Sequence, residues 1–347
     1  MAIKESGCSY SREVKNLKSS LPLNLYLLYG EEDYLRESYY SLLLSICIPE
    51  GESSFSYKRF EGPELNISAL SDALDQMPFI TDKTFVHIKD VDINHIKESD
   101  NLISVLKNIP DYCVVCFEQN SQYSLDGRTK LVKYLKEHGK ALYFTHQDSY
   151  DLKRWVSKRF SALNKTISSD AADRLIFVSG DLMNRLIPEI EKIAAYSTGS
   201  EVTVEDVNAV ASHIPEADVF EMIGFISEKK FDRALFILSE LLRNKDNSPI
   251  AILSAIGFQF RRLFGVKLAM KSGIPKSEIM EVFSLKWESI ANQTISAAKG
   301  FRLSGLRQIL EYCADCEFRM KSSGEDEIQM LKDIIINIMA GDFLGKD

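Results

Sequence analysis

The sequence predicts an α/β fold with a parallel sheet over residues 1–148, a small helical domain over 149–212 and an all-helical bundle over 213–347. Three observations support this division. Apolar runs typical of buried strands alternate with helical patterns as far as residue 147, and after residue 148 the strand signals stop. From residue 213 onward the pattern is strongly amphipathic without a convincing strand. A chain of 347 residues is also too long for one ordinary domain.

Five apolar or alternating runs predict the strands of the sheet, and helical stretches lie between them. Helical spacing is found over residues 31–47, 67–77, 95–108 and 126–138. This alternation predicts parallel strands joined by crossover helices. The predicted strands are LNLYLLYG (23–30), SFSYKRFEG (54–62), TFVHIKD (84–90), DYCVVCFEQN (111–120) and KALYFTH (140–146).

The rest of the chain predicts helices with one apolar face each. Within 181–197, Pro188 predicts a kink or a fresh helix start, because proline cannot donate to the helical ladder. The two longest faces of the bundle predict internal packing. The apolar residues on these helices are Leu152, Trp155, Val156 and Phe160, then Phe231, Leu235, Leu238, Leu241 and Leu242, and finally Ile252, Ile256 and Phe260.

Composition indicates a globular protein of the cytoplasm. No apolar run approaches 18 residues, so no transmembrane helix is expected, and the polar N-terminus lacks the apolar core of a secretory signal. The net charge of −8 argues against a protein that grips nucleic acid alone over a broad basic face. Basic residues do cluster at 153–165 and 261–271, where solvated helix faces are the ordinary interpretation.

The cysteines and histidines do not predict a metal site or a catalyst. Cys113 and Cys116 lie three apart in a predicted strand, on opposite faces, and cannot share a metal. Cys313 and Cys316 share a helix face, but no histidine follows within ligand spacing. We therefore expect buried reduced thiols and no bound metal. The five histidines are scattered along the chain, so none is expected to catalyse a reaction.

The first predicted strand, turn and helix have the frame of a phosphate-binding loop without its chemistry. Such a loop reads Gly-x-x-x-x-Gly-Lys-[Ser/Thr]. Counted from Gly30, the second glycine falls on Leu35, the lysine on Arg36 and the hydroxyl on Glu37. The loop also carries Glu31, Glu32 and Asp33, which are expected to cap their own helix and to repel phosphates.

The third predicted strand has lost a catalytic group as well. An ATPase would end this strand in Asp-Glu, with the aspartate for magnesium and the glutamate for activation of water. This chain has Asp90 followed by the apolar Val91. These losses together predict a loop that neither binds nor hydrolyses ATP, no cofactor and no intrinsic catalysis, so the chain is interpreted as a binding protein.

The segment QMPFITDKT raises a separate question, because two large apolar residues follow a helix directly. Pro78 biases Met77 out of the helical conformation, so Phe79 and Ile80 lie in the turn before the next strand. Apolar residues in a loop ordinarily pack into their own core. The alternative is that the pair is held out as an anchor for a partner.

Four stretches together resemble the delta subunits of the bacterial DNA polymerase III clamp loader, a family with an AAA+-like fold. YLLYGEEDYLRES is similar to the family's opening strand, glycine and acidic helix, and QMPFITDKTFVHIKD to its proline-apolar segment with a basic residue, here Lys83. The segment from Phe220 to Gly273 is similar to the start of its collar. The stretch VSGDLMNRLIPEIEKIAAY resembles its lid motif at Gly180, Leu182, Leu186, Glu189 and Lys192.

This resemblance implies a base domain, a lid and a collar, and a function in DNA replication as part of the polymerase holoenzyme. It implies that Phe79 and Ile80, beside Met77 and Pro78, form a wedge that enters a pocket on the sliding clamp (beta) and helps to open it. The implied partners are that clamp, the tau or gamma ATPase subunits, delta-prime, and primed DNA within the assembly. Two alternatives remain open: an active AAA+-type ATPase with an atypical loop, and a helical nucleic-acid-binding adaptor.

Overall fold

The computed structural model describes residues 7–49, 51–78, 81–322, 324–341 and 343–345, and it contains two compact units. Unit 1 runs to Asp148 and includes Leu182–Asn184. Unit 2 comprises Ser149–Asp181 and the chain from Arg185 onward.

Unit 1 is a five-stranded parallel sheet with the order β2-β3-β4-β1-β5. The predicted parallel α/β fold is therefore confirmed. Its strands are β1 Leu25–Gly30, β2 Tyr57–Glu61, β3 Thr84–Val91, β4 Cys113–Gln119 and β5 Lys140–Phe144. Its helices are α1 Tyr10–Ser19, α2 Asp33–Cys47, α3 Ile67–Asp75, α4 Ser99–Leu106 and α5 Lys130–His138.

The centre of this sheet is β1, which pairs with β4 on one side and β5 on the other. Every residue of β4 is buried, as expected for a parallel strand whose two faces are covered by helices. After β1 the chain crosses to the β2 side, and after β4 it crosses to the β5 side. The strand order thus reverses between β1 and β4, which is where open α/β sheets usually place a ligand site.

Unit 2 is mainly helical, and its bundle confirms the predicted all-helical region. The helices are α6 Ser149–Ala162, α7 Ser169–Ser179, α8 Met183–Tyr196, α9 Val204–Val210, α10 Pro215–Ser227, α11 Phe231–Arg243, α12 Pro249–Lys271, α13 Lys276–Val282, α14 Glu288–Gly300, α15 Leu303–Ser322 and α16 Glu327–Ala340. The first residues of α8 belong to unit 1.

Two sequence-based details of unit 2 are wrong, and a third is wrong in one of its two alternatives. Two-residue strands, β6 Thr166–Ile167 and β7 Glu201–Val202, pair in parallel beyond residue 148, and two residues are too few to produce a readable period. One helix runs through Pro188, so a fresh start there is wrong, whereas a kink at Pro188 stays a prediction. On α11, Leu238 and Leu241 are buried as predicted, whereas Leu235 is exposed.

Helix α12 is the central helix of the bundle. Among the described residues it is the one helix long and apolar enough to cross a membrane, but half of that stretch is buried inside the protein. Its residues Ile252, Ile256 and Phe260 have no exposed surface and pack with α10, α14 and α15. The length and composition of α12 are therefore accounted for by its place in the core.

Candidate functional site

The turn between β1 and α2 lies at the edge of the sheet where the strand order reverses. Gly30 has a φ of 120°, a conformation that side chains disfavour, and a Cβ there would overlap the carbonyl oxygen of Phe144. The glycine is required by the close approach of β1 to β5. Its presence is therefore explained by backbone geometry without a bound phosphate.

The Arg36 side chain, at the position of the phosphate-binding lysine, is fully engaged inside unit 1. Its Nη2 lies 2.7 Å from Oδ1 of Asp33, its Nε donates to Oε1 of Glu118 at 3.2 Å, and its Nη1 donates to the carbonyl of Gly30 at 2.8 Å. Only 5% of Arg36 is exposed. The guanidinium is thus a structural cation that the protein's own acceptors neutralise.

A buried polar network continues from Glu118 across the sheet. Oε2 of Glu118 lies 2.9 Å from Nε2 of His87, and Nδ1 of His87 lies 3.2 Å from the hydroxyl of Tyr57. The ring of Tyr40 stacks on the ring of His87 with a centroid distance of 4.2 Å, and the Tyr40 hydroxyl donates to Oε1 of Glu52 at 2.9 Å. Sequence reasoning missed this network, although a glutamate inside the apolar strand CVVCFEQ was a signal that it needed a partner.

The charge of Glu118 is stabilised within this network. Burial by itself would raise the pKa of the Glu118 carboxyl, but the hydrogen bond with His87 and the attraction of His87 and Arg36 outweigh it. The pKa of Glu118 therefore lies below its usual value. A carboxyl with a lowered folded-state pKa contributes stability at neutral pH and loses that contribution as pH falls through the folded-state value.

Of the three acids that were expected to cap α2, Glu32 is at the N-cap position, and its side chain makes no cap hydrogen bond there. Their carboxylates have other partners. Glu31 lies 3.4 Å from His146, Asp33 binds Arg36, and Oε2 of Glu32 accepts from the amide of Met183 at 3.2 Å. Glu32 has no exposed surface, so a buried acid occupies the start of this helix.

Burial raises the pKa of Glu32, and its other oxygen, Oε1, has no hydrogen-bond partner within the described residues. A carboxyl whose folded-state pKa is raised favours folding when protonated and costs stability as pH rises.

We expect Glu32→Gln to raise the melting temperature more at pH 8 than at pH 5. Thermal melting at both values, with the exposed Glu37→Gln as control, measures this. An equal shift at both pH values would contradict it.

The remaining residues of the predicted loop lie apart from any binding surface. Leu35 is in the core, and Glu37 is exposed to solvent. Asp90 has a φ of 51°, and the pairing of β3 with β4 shifts between Ile88 and Val91. Val91 is completely buried. The position that would hold a water-activating glutamate therefore belongs to the apolar interior.

The proposed wedge residues Phe79 and Ile80 lie outside the described residues, but the segments on either side of them are described. Met77 is 75% exposed, and Pro78 is half-buried. The hydroxyl of Thr84 donates to the carbonyl of Gln76 at 3.3 Å. This hydrogen bond holds the end of α3 beside the start of β3.

Many members of the two basic clusters have structural partners. Lys153 pairs with Asp173 at 2.9 Å, and Lys165 donates to the carbonyl of Ser197 at 2.7 Å. Lys267 is buried and donates to the carbonyl of Phe301 at 2.7 Å. The interpretation of these clusters as solvated helix faces is therefore wrong for Lys267.

Cys8 is half-buried, and the other cysteines lie in the interior of the two units. Burial raises the pKa of Cys113 to about 11 and of Cys313 to about 12, so these thiols stay protonated at neutral pH. All of the described cysteines are free, and within the described ranges no three potential metal ligands cluster.

Comparison with known proteins gives a consistent result over both units. Residues 26–145 match the family model for the DNA polymerase III delta subunit, and residues 216–338 match the model for its C-terminal domain. The DNA polymerase III subunit delta of Bacillus subtilis is 24% identical over 337 residues, which cover 94% of this chain and 95% of that protein. A probable DNA polymerase III subunit delta of Aquifex aeolicus is 22% identical and covers 69% of each chain.

A solved structure also resembles most of the chain. The DNA clamp loader delta protein of Bacillus subtilis superposes with a TM-score of 0.50 at 23% identity. The match covers 94% of this chain and 99% of that one, and it supports the fold described above.

Proposed function

This chain belongs to the DNA polymerase III delta subunit family, and we propose that it binds the ring-shaped sliding clamp and opens it during DNA replication. Family membership places the chain in a clamp loader. The opening of the ring by an apolar wedge and the absence of ATP hydrolysis are the parts that we propose.

The observation that carries the proposal is the exposed side chain of Met77, which lies between α3 and β3. Met77 presents most of its surface to solvent immediately before Pro78, Phe79 and Ile80. In the proposed mechanism Phe79 and Ile80 enter an apolar pocket of the clamp, and burial of each contributes roughly 1.5–3 kcal/mol. If that pocket is available only in the open ring, this differential binding favours opening without any chemical step.

The clamp itself provides the direct test. The full chain, without nucleotide, is titrated against the sliding clamp of the same organism by surface plasmon resonance or calorimetry. We expect saturable binding in the absence of ATP. If the clamp does not bind the folded full-length chain, the proposed function is wrong.

The loop after β1 supports a role that needs no nucleotide on this chain. A functional loop offers phosphates a free lysine and open backbone amides at a helix start. Here Arg36 is held by Glu118, Asp33 and Gly30, and the buried Glu32 lies at the start of α2. We propose that the ATP used for loading is bound and hydrolysed by partner subunits.

Addition of millimolar ATP with magnesium should therefore leave the melting temperature unchanged, because a ligand stabilises only a protein that binds it. Differential scanning fluorimetry of the full chain measures this, with a partner ATPase subunit as the positive control. A rise of several degrees would instead support the alternative of an active ATPase with an atypical loop.

The remaining parts of the chain have proposed roles in assembly. We propose residues 1–148 as the base that binds the clamp, 149–212 as the lid and 213–347 as the collar that packs beside the ATPase subunits and delta-prime around primed DNA. Exposed aromatic side chains on the bundle support this role, because large exposed apolar residues often mark contact surfaces. They are Phe236, Phe258 and Phe318.

A further inference from the structure

The exposed apolar side chains of unit 1 are concentrated at one edge of its sheet. All strands are parallel, so the segments that lead into them meet at a single edge, opposite the loop after β1. Leu23 lies two residues before β1, and Phe55 lies two residues before β2. The large exposed apolar residues described in this unit are Leu21, Leu23, Ile46, Phe55, Met77 and Tyr123, of which Tyr123 alone follows a strand.

Phe55 is the most exposed aromatic residue of this edge. It lies in a tight turn that is closed by a hydrogen bond of 3.1 Å from the amide of Tyr57 to the carbonyl of Ser54. Its side chain is 85% exposed. The turn accepts most polar residues at such a position, so a phenylalanine there is not required by the local backbone.

The turn that carries Phe55 is joined to the loop that carries the proposed wedge. The hydroxyl of Thr81 donates to the hydroxyl of Ser56 at 2.8 Å. The carbonyl of Ser56 accepts from the amide of Phe85 at 2.8 Å, next to the start of β3. The turn that carries Phe55 is therefore tied by hydrogen bonds to Thr81 and Phe85, which follow the proposed wedge in sequence.

We propose that Phe55 and Leu23, which precede β2 and β1 at this edge, are further clamp-contacting residues. The inference rests on the proposed clamp-opening function and specifies the extent of its contact surface. A stable protein interface buries roughly 800 Å² on each partner, whereas a single aromatic side chain buries about 150–250 Å². The two wedge side chains alone do not bury that much area, and Phe55 and Leu23 at the same edge would add to the buried area.

The edge spans several strands, which suits the broad face of a ring. In the strand order β2-β3-β4-β1, Phe55 precedes β2, the wedge precedes β3 and Leu23 precedes β1. Neighbouring strands are about 4.8 Å apart, so the row extends over roughly 14 Å. Lys83, which directly precedes β3 at this edge, donates from its Nζ to the carbonyl of Asp111 at 2.6 Å. The charged group of Lys83 therefore already has a partner within unit 1.

The test measures the clamp affinity of the full-length chain with Phe55→Ser and, separately, Leu23→Ser. Loss of either buried apolar side chain should weaken binding about tenfold or more, and the double variant should weaken it further. Tyr123→Ser, at the opposite edge of the same sheet, is the matched control and should bind as the unaltered chain does. The Phe55→Ile variant keeps an apolar side chain and should retain most of the affinity.

The outcomes separate this inference from the proposed function. If Phe55→Ser and Leu23→Ser bind the clamp as the unaltered chain does, while Phe79→Ala with Ile80→Ala does not bind, the wider surface is wrong and the wedge stands. If the unaltered chain fails to bind the clamp, both are wrong. Should a serine variant melt at a lower temperature, Phe55→Lys supplies the second measurement, and unchanged affinity in that folded variant also overturns the inference.

Discussion

Replacement of Arg36 with methionine should destabilise unit 1 by about 3–5 kcal/mol, because it leaves the buried Glu118 carboxylate without its cation. For a unit of this size, 1 kcal/mol corresponds to a shift in melting temperature of about 2–4 °C, so we expect a fall of roughly 10 °C. Methionine retains much of the apolar stem, so the loss arises mainly from charge and hydrogen bonding. Thermal and urea melting of the full chain measure the effect.

The neighbouring Glu37 provides the matched control, since it lies on the same helix but faces solvent. Glu37→Met should change the free energy of unfolding by no more than about 0.5 kcal/mol. The double variant Arg36→Met with Glu118→Leu removes both charges and should be less destabilised than the sum of the single variants. A melting temperature for Arg36→Met within a degree of the unaltered protein would show that the pair is not structurally important.

The same substitution should change how stability depends on pH. In the unaltered protein the pKa of Glu118 is lowered. The ionised Glu118 therefore stabilises the fold at any pH above its unfolded-state pKa, and this stabilisation is lost as pH falls through the folded-state pKa. Without Arg36, one of the groups that lower this pKa is gone. The folded-state pKa of Glu118 should then lie closer to its unfolded-state value, so the stability of Arg36→Met should fall less as pH is lowered than that of the unaltered chain.

The fold could be predicted from the sequence because its strands and helices have readable periods. Apolar runs such as LYLLYG and CVVCFEQ correspond to β1 and β4, and the missing lysine and hydroxyl of the loop were visible by counting from Gly30. β6 and β7 could not be found in this way, because each has only two residues.

The polar network could not be predicted, because it depends on which strands are neighbours. Glu118 and His87 are 31 residues apart in sequence, and they meet only because β3 and β4 are adjacent in the sheet. Arg36 joins them only because α2 packs over that part of the sheet. A sequence gives the burial pattern of each strand but not the pairing that brings two titratable side chains within 3 Å.

Phe55 was also misplaced by the sequence pattern. The alternation in SFSYKRFEG predicted that Phe55 belongs to a strand, whereas β2 begins at Tyr57 and Phe55 is in the preceding turn. Alternation gives a side-chain direction only inside a strand. The exposure of Phe55 therefore became visible only when the start of the strand was known.

The double substitution Phe79→Ala with Ile80→Ala should reduce clamp affinity by the largest factor of any change in unit 1. Two apolar side chains that are buried in a partner pocket contribute roughly 3–6 kcal/mol together, which corresponds to a loss of about 10²–10⁴-fold. Alanine removes nearly all of that apolar surface without adding charge or a new donor. Titration of the full-length variant against the clamp measures the loss.

Thermal melting of the same variant separates a binding role from a core role. If the pair contacts the clamp, its removal should leave the melting temperature within a degree or two of the unaltered chain. Phe79→Leu with Ile80→Leu, which keeps apolar side chains of similar size, should retain clamp binding. If the alanine variant instead melts many degrees lower and still binds the clamp, Phe79 and Ile80 are part of the protein's own core. The exposed Met77 and Phe55 would then have to form the contact without them.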